Sequence, residues 1–286
     1  MRDKFFVLCV GCQKGGTSWL HDQLSGSKHV DLGFTKEYQV FDSIYVAGGL
    51  HAKRVKRLKR ICSKNIELSE KHCNLLDQIN FVLDPKRYFD YFDSLWHLNT
   101  NITTVGDFSP SYSGLPAEAY EQIKTELELR GFRVKVVFIM RNPVERCWSM
   151  VRMRRRKELK RHPDLVQLPE HVELRRTYKK RPCQMFTKYE RTVRRLGRVF
   201  DSSDIYFGLY ESMFQDESLR KLENFFELPD FSPSKHTKVN ESAKLSNDLP
   251  EELQAEIIEH YKATYEFCER RFGTNNLWNY QTVSEI

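Results

Sequence analysis

Two uninterrupted apolar runs, each released through a polar turn into a helix, constrain this chain more than any other feature. Phe5-Phe6-Val7-Leu8-Cys9-Val10-Gly11 and Val134-Lys135-Val136-Val137-Phe138-Ile139-Met140 have strand length and little polar alternation. A strand that is apolar on both faces must be covered on both faces, as in parallel sheets flanked by helices. Ile205 to Tyr210 reads as a third strand and Val30 to Phe34 as a short one. Helical spacing separates them: Trp19, Leu20 and Leu24 before Gly26; the aromatic stripe Tyr88 to Trp96; Ala117 to Leu129 before Gly131; a helix opened by Pro143; Met185 to Leu196; Leu219 to Phe226; and one long helix from Leu249 to Phe272. Gly106 to Pro116 and Phe231 to Asp248 read as loops. The pattern predicts an α/β fold with a central parallel sheet and helices on both faces. The 286 residues suit one domain over 1–286, with helical or basic excursions at about 48–100 and 152–198.

Composition narrows the class. Aromatic residues make up 13% of the chain, which excludes a disordered segment. Mean hydropathy is −0.60, and no apolar run approaches the roughly 20 residues of a membrane span. The 7 cysteines are scattered, and Cys9-x-x-Cys12 is the one close pair. With Cys9 inside a strand and no second pair or spaced His pair, they read as reduced thiols in a reducing compartment, with no metal site. The net charge of +7 is clustered: residues 53–60, 152–161, 175–181 and 191–198 each carry a basic block. Such blocks are either solvated helix faces or capture surfaces for an anionic partner.

In sheets of this kind ligands bind beyond the carboxyl ends of the strands. After the first strand comes Gly11-Cys12-Gln13-Lys14-Gly15-Gly16-Thr17-Ser18-Trp19-Leu20. A Gly-rich turn into a helix points backbone N–H groups at an anion; Lys14 adds a charge, and Thr17 and Ser18 add hydroxyls. The Walker A loop places its Lys directly after the last Gly, whereas here Lys14 precedes both glycines. After the second strand, Arg141-Asn142-Pro143 opens a helix that carries Ser149, a pair suited to a second phosphate.

With both motifs in order, the sequence resembles the sulfotransferases that use 3′-phosphoadenosine 5′-phosphosulfate (PAPS), and in motif the glycan, heparan-sulfate-type branch. Lys14-Gly15-Gly16-Thr17-Ser18-Trp19-Leu20 resembles the family's 5′-phosphosulfate loop, and Arg141 to Ser149 its 3′-phosphate motif. Lys36-Glu37-Tyr38-Gln39-Val40-Phe41 resembles the segment that bears the catalytic Glu. Asp107-Phe108-Ser109-Pro110-Ser111-Tyr112 and Asn240-Glu241-Ser242 resemble two further family segments. The resemblance implies a P-loop-kinase-like fold and sulfuryl transfer from PAPS, without metal, to a hydroxyl or amine of a glycan or small molecule. Glu37 would be the base. Lys14 would be both a catalytic residue and a donor ligand, with Gly15, Gly16, Thr17, Ser18, Trp19, Arg141, Ser149 and Lys244. Lys36, Asp107 and Tyr112 would bind the acceptor. Trp19 either stacks on adenine, as its family counterpart does, or sits in the core. Phe108 stands where several glycan-branch members have a Lys, and Ala243-Lys244-Leu245 replaces their basic loop.

Two readings from other classes stand beside this one: a P-loop kinase-like phosphotransferase, and a non-catalytic binder of polyanions. Nucleic acid is not the expected partner. With Met1 as the native start and no signal peptide before Phe5, the chain reads as cytoplasmic; a trimmed lumenal domain of a Golgi-type enzyme would read the same.

Overall fold

The computed structural model describes residues 2–46, 50–63, 67, 69–234 and 249–278. The chain runs through β1 (Phe5–Gly11), α1 (Thr17–Ser25), β2 (Val30–Asp31), α2 (Phe41–Tyr45), α3 (Leu50–Cys62), α4 (Glu70–Leu83), α5 (Pro85–Leu98) and β3 (Thr104–Asp107). A 3₁₀ turn at Pro110–Gly114 leads to α6 (Ala117–Leu129), β4 (Arg133–Met140), α7 (Pro143–Arg161), α8 (Glu170–Thr177), α9 (Arg181–Met185), α10 (Tyr189–Val199) and β5 (Ile205–Leu209). Helices α11 (Asp216–Phe226), α12 (Glu251–His260), α13 (Lys262–Phe272) and α14 (Asn275–Trp278) complete it.

The strands form one sheet in the order β2-β3-β1-β4-β5, parallel throughout. Every residue of β1 is buried, as its apolar run requires. Alternate residues feed two cores. Val7, Cys9, Val137 and Ile139 meet Trp19, Leu20 and Leu24 of α1 and Leu219, Leu222 and Phe226 of α11. Phe6, Leu8, Val10, Val136 and Phe138 meet α5, α6, α7, α10 and the C-terminal helices on the other face. The α/β fold with helices on both faces is as expected, and its sheet is of the P-loop-kinase-like type.

Local expectations fail where the sequence signal is weak. Gly106 belongs to β3, not to a loop: a Cβ there would lie 2.5 Å from the Val7 carbonyl oxygen, so glycine is what lets β3 approach β1. The Val30–Phe34 run contributes only two residues of strand. Gly33, at φ 72°, turns the chain away, and its N–H donates to Asp31 Oδ1 at 2.8 Å. The long C-terminal helix is two helices that part at Tyr261, whose hydroxyl donates to the Tyr178 carbonyl at 2.6 Å. The helix expected from Met185 is split between α9 and α10. Within the 48–100 stretch, Phe81 of α4 and Tyr88, Phe89 and Phe92 of α5 belong to the larger core.

Candidate active site

The loop between β1 and α1 sits at the carboxyl end of the sheet and is pinned from below. Cys12 N–H donates to the Ile139 carbonyl at 2.6 Å, and Gly15 N–H to the Cys12 carbonyl at 3.0 Å. Lys14 (φ 70°) and Gly16 (φ 90°) are left-handed, so the loop curls back on itself before α1 begins. A Cβ on Gly16 would meet Met213 Sδ at 2.7 Å and the Tyr210 ring at 3.0 Å; one on Gly15 would meet the Ile139 carbonyl at 2.7 Å. Both glycines are therefore demanded by close packing, and the free N–H groups of α1 open above them.

Around this loop the fold gathers cations. Lys36 Nζ donates to Ser18 Oγ at 2.6 Å and lies 3.3 Å from Thr17 Oγ1. Arg141, at the end of β4, donates through Nη1 to the Lys14 carbonyl at 3.2 Å, and its guanidinium lies 4.5 Å from the Tyr210 ring centroid. Lys14 is pushed down to about 8, first by burial and then by the positive charges of Arg156, Arg141, Lys157 and Lys36. A pocket that depresses a lysine in this way stores repulsion that an anion would relieve.

Glu37 lies among those charges. Burial raises it, while Lys36, Lys157 and Lys14 act in the other direction. Its Oε2 accepts from Gln39 Nε2 at 2.9 Å. The segment that carries it is tightly held. Phe108 N–H donates to the Lys36 carbonyl at 3.1 Å, and Gln78 reaches the Glu37 carbonyl at 3.3 Å. Arg54 donates to the carbonyls of Tyr38 and Gln39 at 2.9 and 3.2 Å.

Asp107 and Tyr112 complete this support, which corrects their expected role. Both are fully buried. Asp107 accepts from Ser109 Oγ at 2.6 Å and Tyr88 at 3.0 Å; Ser109 Oγ in turn accepts from Gln39 N–H at 3.0 Å. The Tyr112 hydroxyl accepts from Val40 N–H at 3.0 Å. Their polar atoms are turned inward and hold the backbone of residues 38–40. Trp19 is likewise a core residue, 2% exposed, edge-on to Phe214 and donating to the Ser234 carbonyl at 3.3 Å. Ser149 is buried on α7. Lys244 and Asn240-Glu241-Ser242 lie outside the described residues.

Burial pushes Asp107 up to about 7 from its ordinary 3.8. A carboxyl whose folded pKa is raised binds its proton more tightly in the native state. Its stabilising contribution is full below the unfolded value and is lost as pH rises toward 7. Between pH 5 and 7 this amounts to roughly 2–3 kcal/mol at about 1.4 kcal/mol per unit. Urea unfolding should therefore show a larger stability loss from pH 5 to 8 in the wild type than in Asp107→Asn. Equal losses would mean that Asp107 is ionised throughout.

The β5 end contributes residues that the sequence reading passed over. Besides Tyr210, Glu211 accepts from Asn142 N–H and from Trp278 Nε1, both at 2.9 Å, and so ties the C-terminal α14 to the Arg141 turn. The rule that weights residues after each strand could have found both. The basic blocks divide. Arg152 pairs with Glu170 at 3.3 Å and stacks 3.7 Å from the Trp148 ring centroid, and Arg155 pairs with Glu173 at 3.3 Å. Arg154, Arg156 and Lys157 are exposed. The described residues hold no cluster of metal-ligating side chains and no helix long and apolar enough to cross a membrane.

The sheet is parallel, with a glycine loop at the end of β1 and cations converging on it from neighbouring segments. The family model for the sulfotransferase domain matches residues 5–257, and the chain belongs to that family. It is an α/β transferase of the sulfotransferase type. Among solved structures, a sulfotransferase from Alicyclobacillus acidocaldarius aligns with a TM-score of 0.55 at 19% identity, over 94% of this chain and 95% of that one. The sulfotransferase domain of the Synechococcus PCC 7002 olefin synthase aligns at 0.49 and 13% identity, over 93% and 96%. Comparison with curated protein sequences gives no significant match.

Proposed function

We propose that this protein moves a sulfuryl group from PAPS to a hydroxyl or amine of a glycan or small-molecule acceptor, with Glu37 as general base. The observation that carries the reading is the convergence of Lys14, Lys36 and Arg141, with the charges of Arg156 and Lys157, on a site that also holds the Glu37 carboxylate.

The residues present fit the donor. Arg141 Nε is buried without a hydrogen-bond partner, while Nη1 donates to the Lys14 carbonyl at 3.2 Å and Nη2 meets Glu145 at 3.1 Å, an i,i+4 contact that a phosphate can replace. The glycine cradle leaves backbone N–H groups for a 5′-phosphate. Lys14, Gly15, Gly16, Thr17 and Ser18 would hold that end, and Arg141 with Ser149 the 3′-phosphate. PAPS supplies the sulfuryl group and the adenosine bisphosphate that departs.

The chain's residues then divide the work. Lys14 and the α1 N–H groups neutralise charge growing on the phosphate oxygen as the S–O bond breaks. Lys36, anchored on the hydroxyls of Thr17 and Ser18, brings Glu37 to the same loop and adds positive charge beside the transferring group. Glu37 takes the acceptor's proton. Exposed Arg156 and Lys157 flank the entrance and favour an acceptor that itself carries negative charge.

Adenosine 3′,5′-bisphosphate should raise the melting temperature of the wild type clearly more than AMP does, since a native-state ligand at about a hundred times its Kd adds about 2.7 kcal/mol. In Arg141→Ala the two nucleotides should act alike. Equal shifts in the wild type would remove Arg141 from the 3′-phosphate site. Product masses from PAPS with a panel of sugars and small alcohols test the transfer itself.

A further inference from the structure

Among the described residues, no carboxylate is placed to neutralise the charge of Arg146. Arg146 lies on α7 and is fully buried. Its Nη2 donates to Cys183 Sγ at 2.8 Å, to Cys147 Sγ at 3.4 Å and to the Cys183 carbonyl at 3.4 Å, while Nε and Nη1 are buried without hydrogen-bond partners. A guanidinium stays protonated inside a protein, and an uncompensated buried charge is strongly disfavoured. The groups able to answer it with negative charge are thiols and a tyrosine: Cys147, Cys183, Tyr189 and Cys12.

The two nearest thiols are unequal. Cys183 is pulled down, first by its hydrogen bond with Cys147 and further by Arg146, whereas burial pushes Cys147 up. Their sulfurs lie 3.4 Å apart, on α7 and the five-residue α9. The Cys183 sulfur is thus held by a fixed cation, which favours its thiolate, beside a second thiol. A disulfide needs about 2.05 Å, a closure of roughly 1.4 Å that side-chain rotation with a small shift of α9 can provide. Residues 179–182 immediately before Cys183 are exposed, so opening of the α8–α9 turn admits a small oxidant.

We infer that Cys183 and Cys147 form a modification site, an arginine-held thiolate–thiol pair that hydrogen peroxide converts to a disulfide. The Cys183 sulfur attacks one peroxide oxygen; an S–O bond forms, the O–O bond breaks and hydroxide leaves. The proton of Cys147 passes to that hydroxide, giving water. The Cys147 sulfur then attacks Cys183; the S–S bond forms, the S–O bond breaks and a second hydroxide departs. The two sulfurs together lose two electrons, and the peroxide gains them. Oxidation removes the counter-anion of Arg146, whose charge then faces Cys12 at the base of the Lys14 loop.

The test uses the full chain with the exposed cysteines replaced, Cys62→Ser and Cys73→Ser, neither of which supports the core. After hydrogen peroxide treatment, intact mass should fall by two hydrogens, and digestion should give one peptide pair joined through Cys147 and Cys183 that dithiothreitol separates. Adding Cys147→Ser should leave a sulfenic acid on Cys183 that dimedone traps. The inference is overturned if no joined pair forms under conditions that oxidise a control dithiol. It is equally overturned if dimedone labels Cys9, Cys12 or Cys268 in place of Cys183.

Discussion

Glu37→Gln should lower kcat by roughly two to four orders of magnitude, the usual contribution of a general base, with donor affinity near that of the wild type. Gln keeps the oxygen that accepts from Gln39, and the segment's backbone is held by Phe108, Arg54, Gln78 and Ser109 independently of the carboxylate. The melting temperature should therefore change little, which separates loss of the base from loss of the fold. The pH profile adds a second readout. Burial raises Glu37, so the acid limb of kcat/KM should lie above the roughly 4.3 of an exposed glutamate. Activity should fall as pH drops through that limb, because the protonated carboxyl cannot accept the acceptor's proton. A variant retaining more than about a tenth of wild-type kcat, against that expected loss, would exclude Glu37 as the base.

Lys14→Met should lower kcat by about a hundredfold to a thousandfold, the range for removing one preorganised group from a developing oxyanion. The lysine is charged below about 8 and loses its proton as pH rises through that value. The wild-type kcat/KM should accordingly have an alkaline limb near pH 8, and the variant should lack it. Occupancy by an anion raises the lysine again, so the same limb in kcat should move upward. A lysine that mattered only for stability would behave differently. Its depressed pKa means that the folded state disfavours its charge, with stability rising as pH climbs from about 8 toward 10.5. The variant should melt no lower than the wild type; a marked fall would make Lys14 a structural residue instead.

Much of the site was legible because its signals are local. A Gly-rich turn directly after an apolar strand and an Arg directly after a second one need no long-range information, and the family resemblance follows from their order. Asp107 and Tyr112 were also picked out, but for the wrong reason. Their residue types suggested contact with a ligand, and only the packing of β3 beneath residues 36–41 shows that their polar atoms are consumed by that segment. Tyr210 and Glu211 directly follow β5, where the strand-end rule points, but no Gly-rich turn or basic residue beside them marks an anion site.

The amino-acid sequence by itself determined the parallel α/β class, the two turns that follow β1 and β4 and the excess of positive charge, since each is written in runs of fewer than about a dozen residues as apolar period, turn chemistry or charge. The tertiary structure alone decided which charges are free to act. Arg54, Arg152 and Arg155 are spent on carbonyls and carboxylates from other segments, whereas Lys14 is surrounded by cations drawn from β4, α7 and the turn before α2. It also decided that Arg146 meets thiols and not a carboxylate. The physical reason is that the energy of a charge depends on its partners and its burial, and both are set by contacts between segments far apart in the chain.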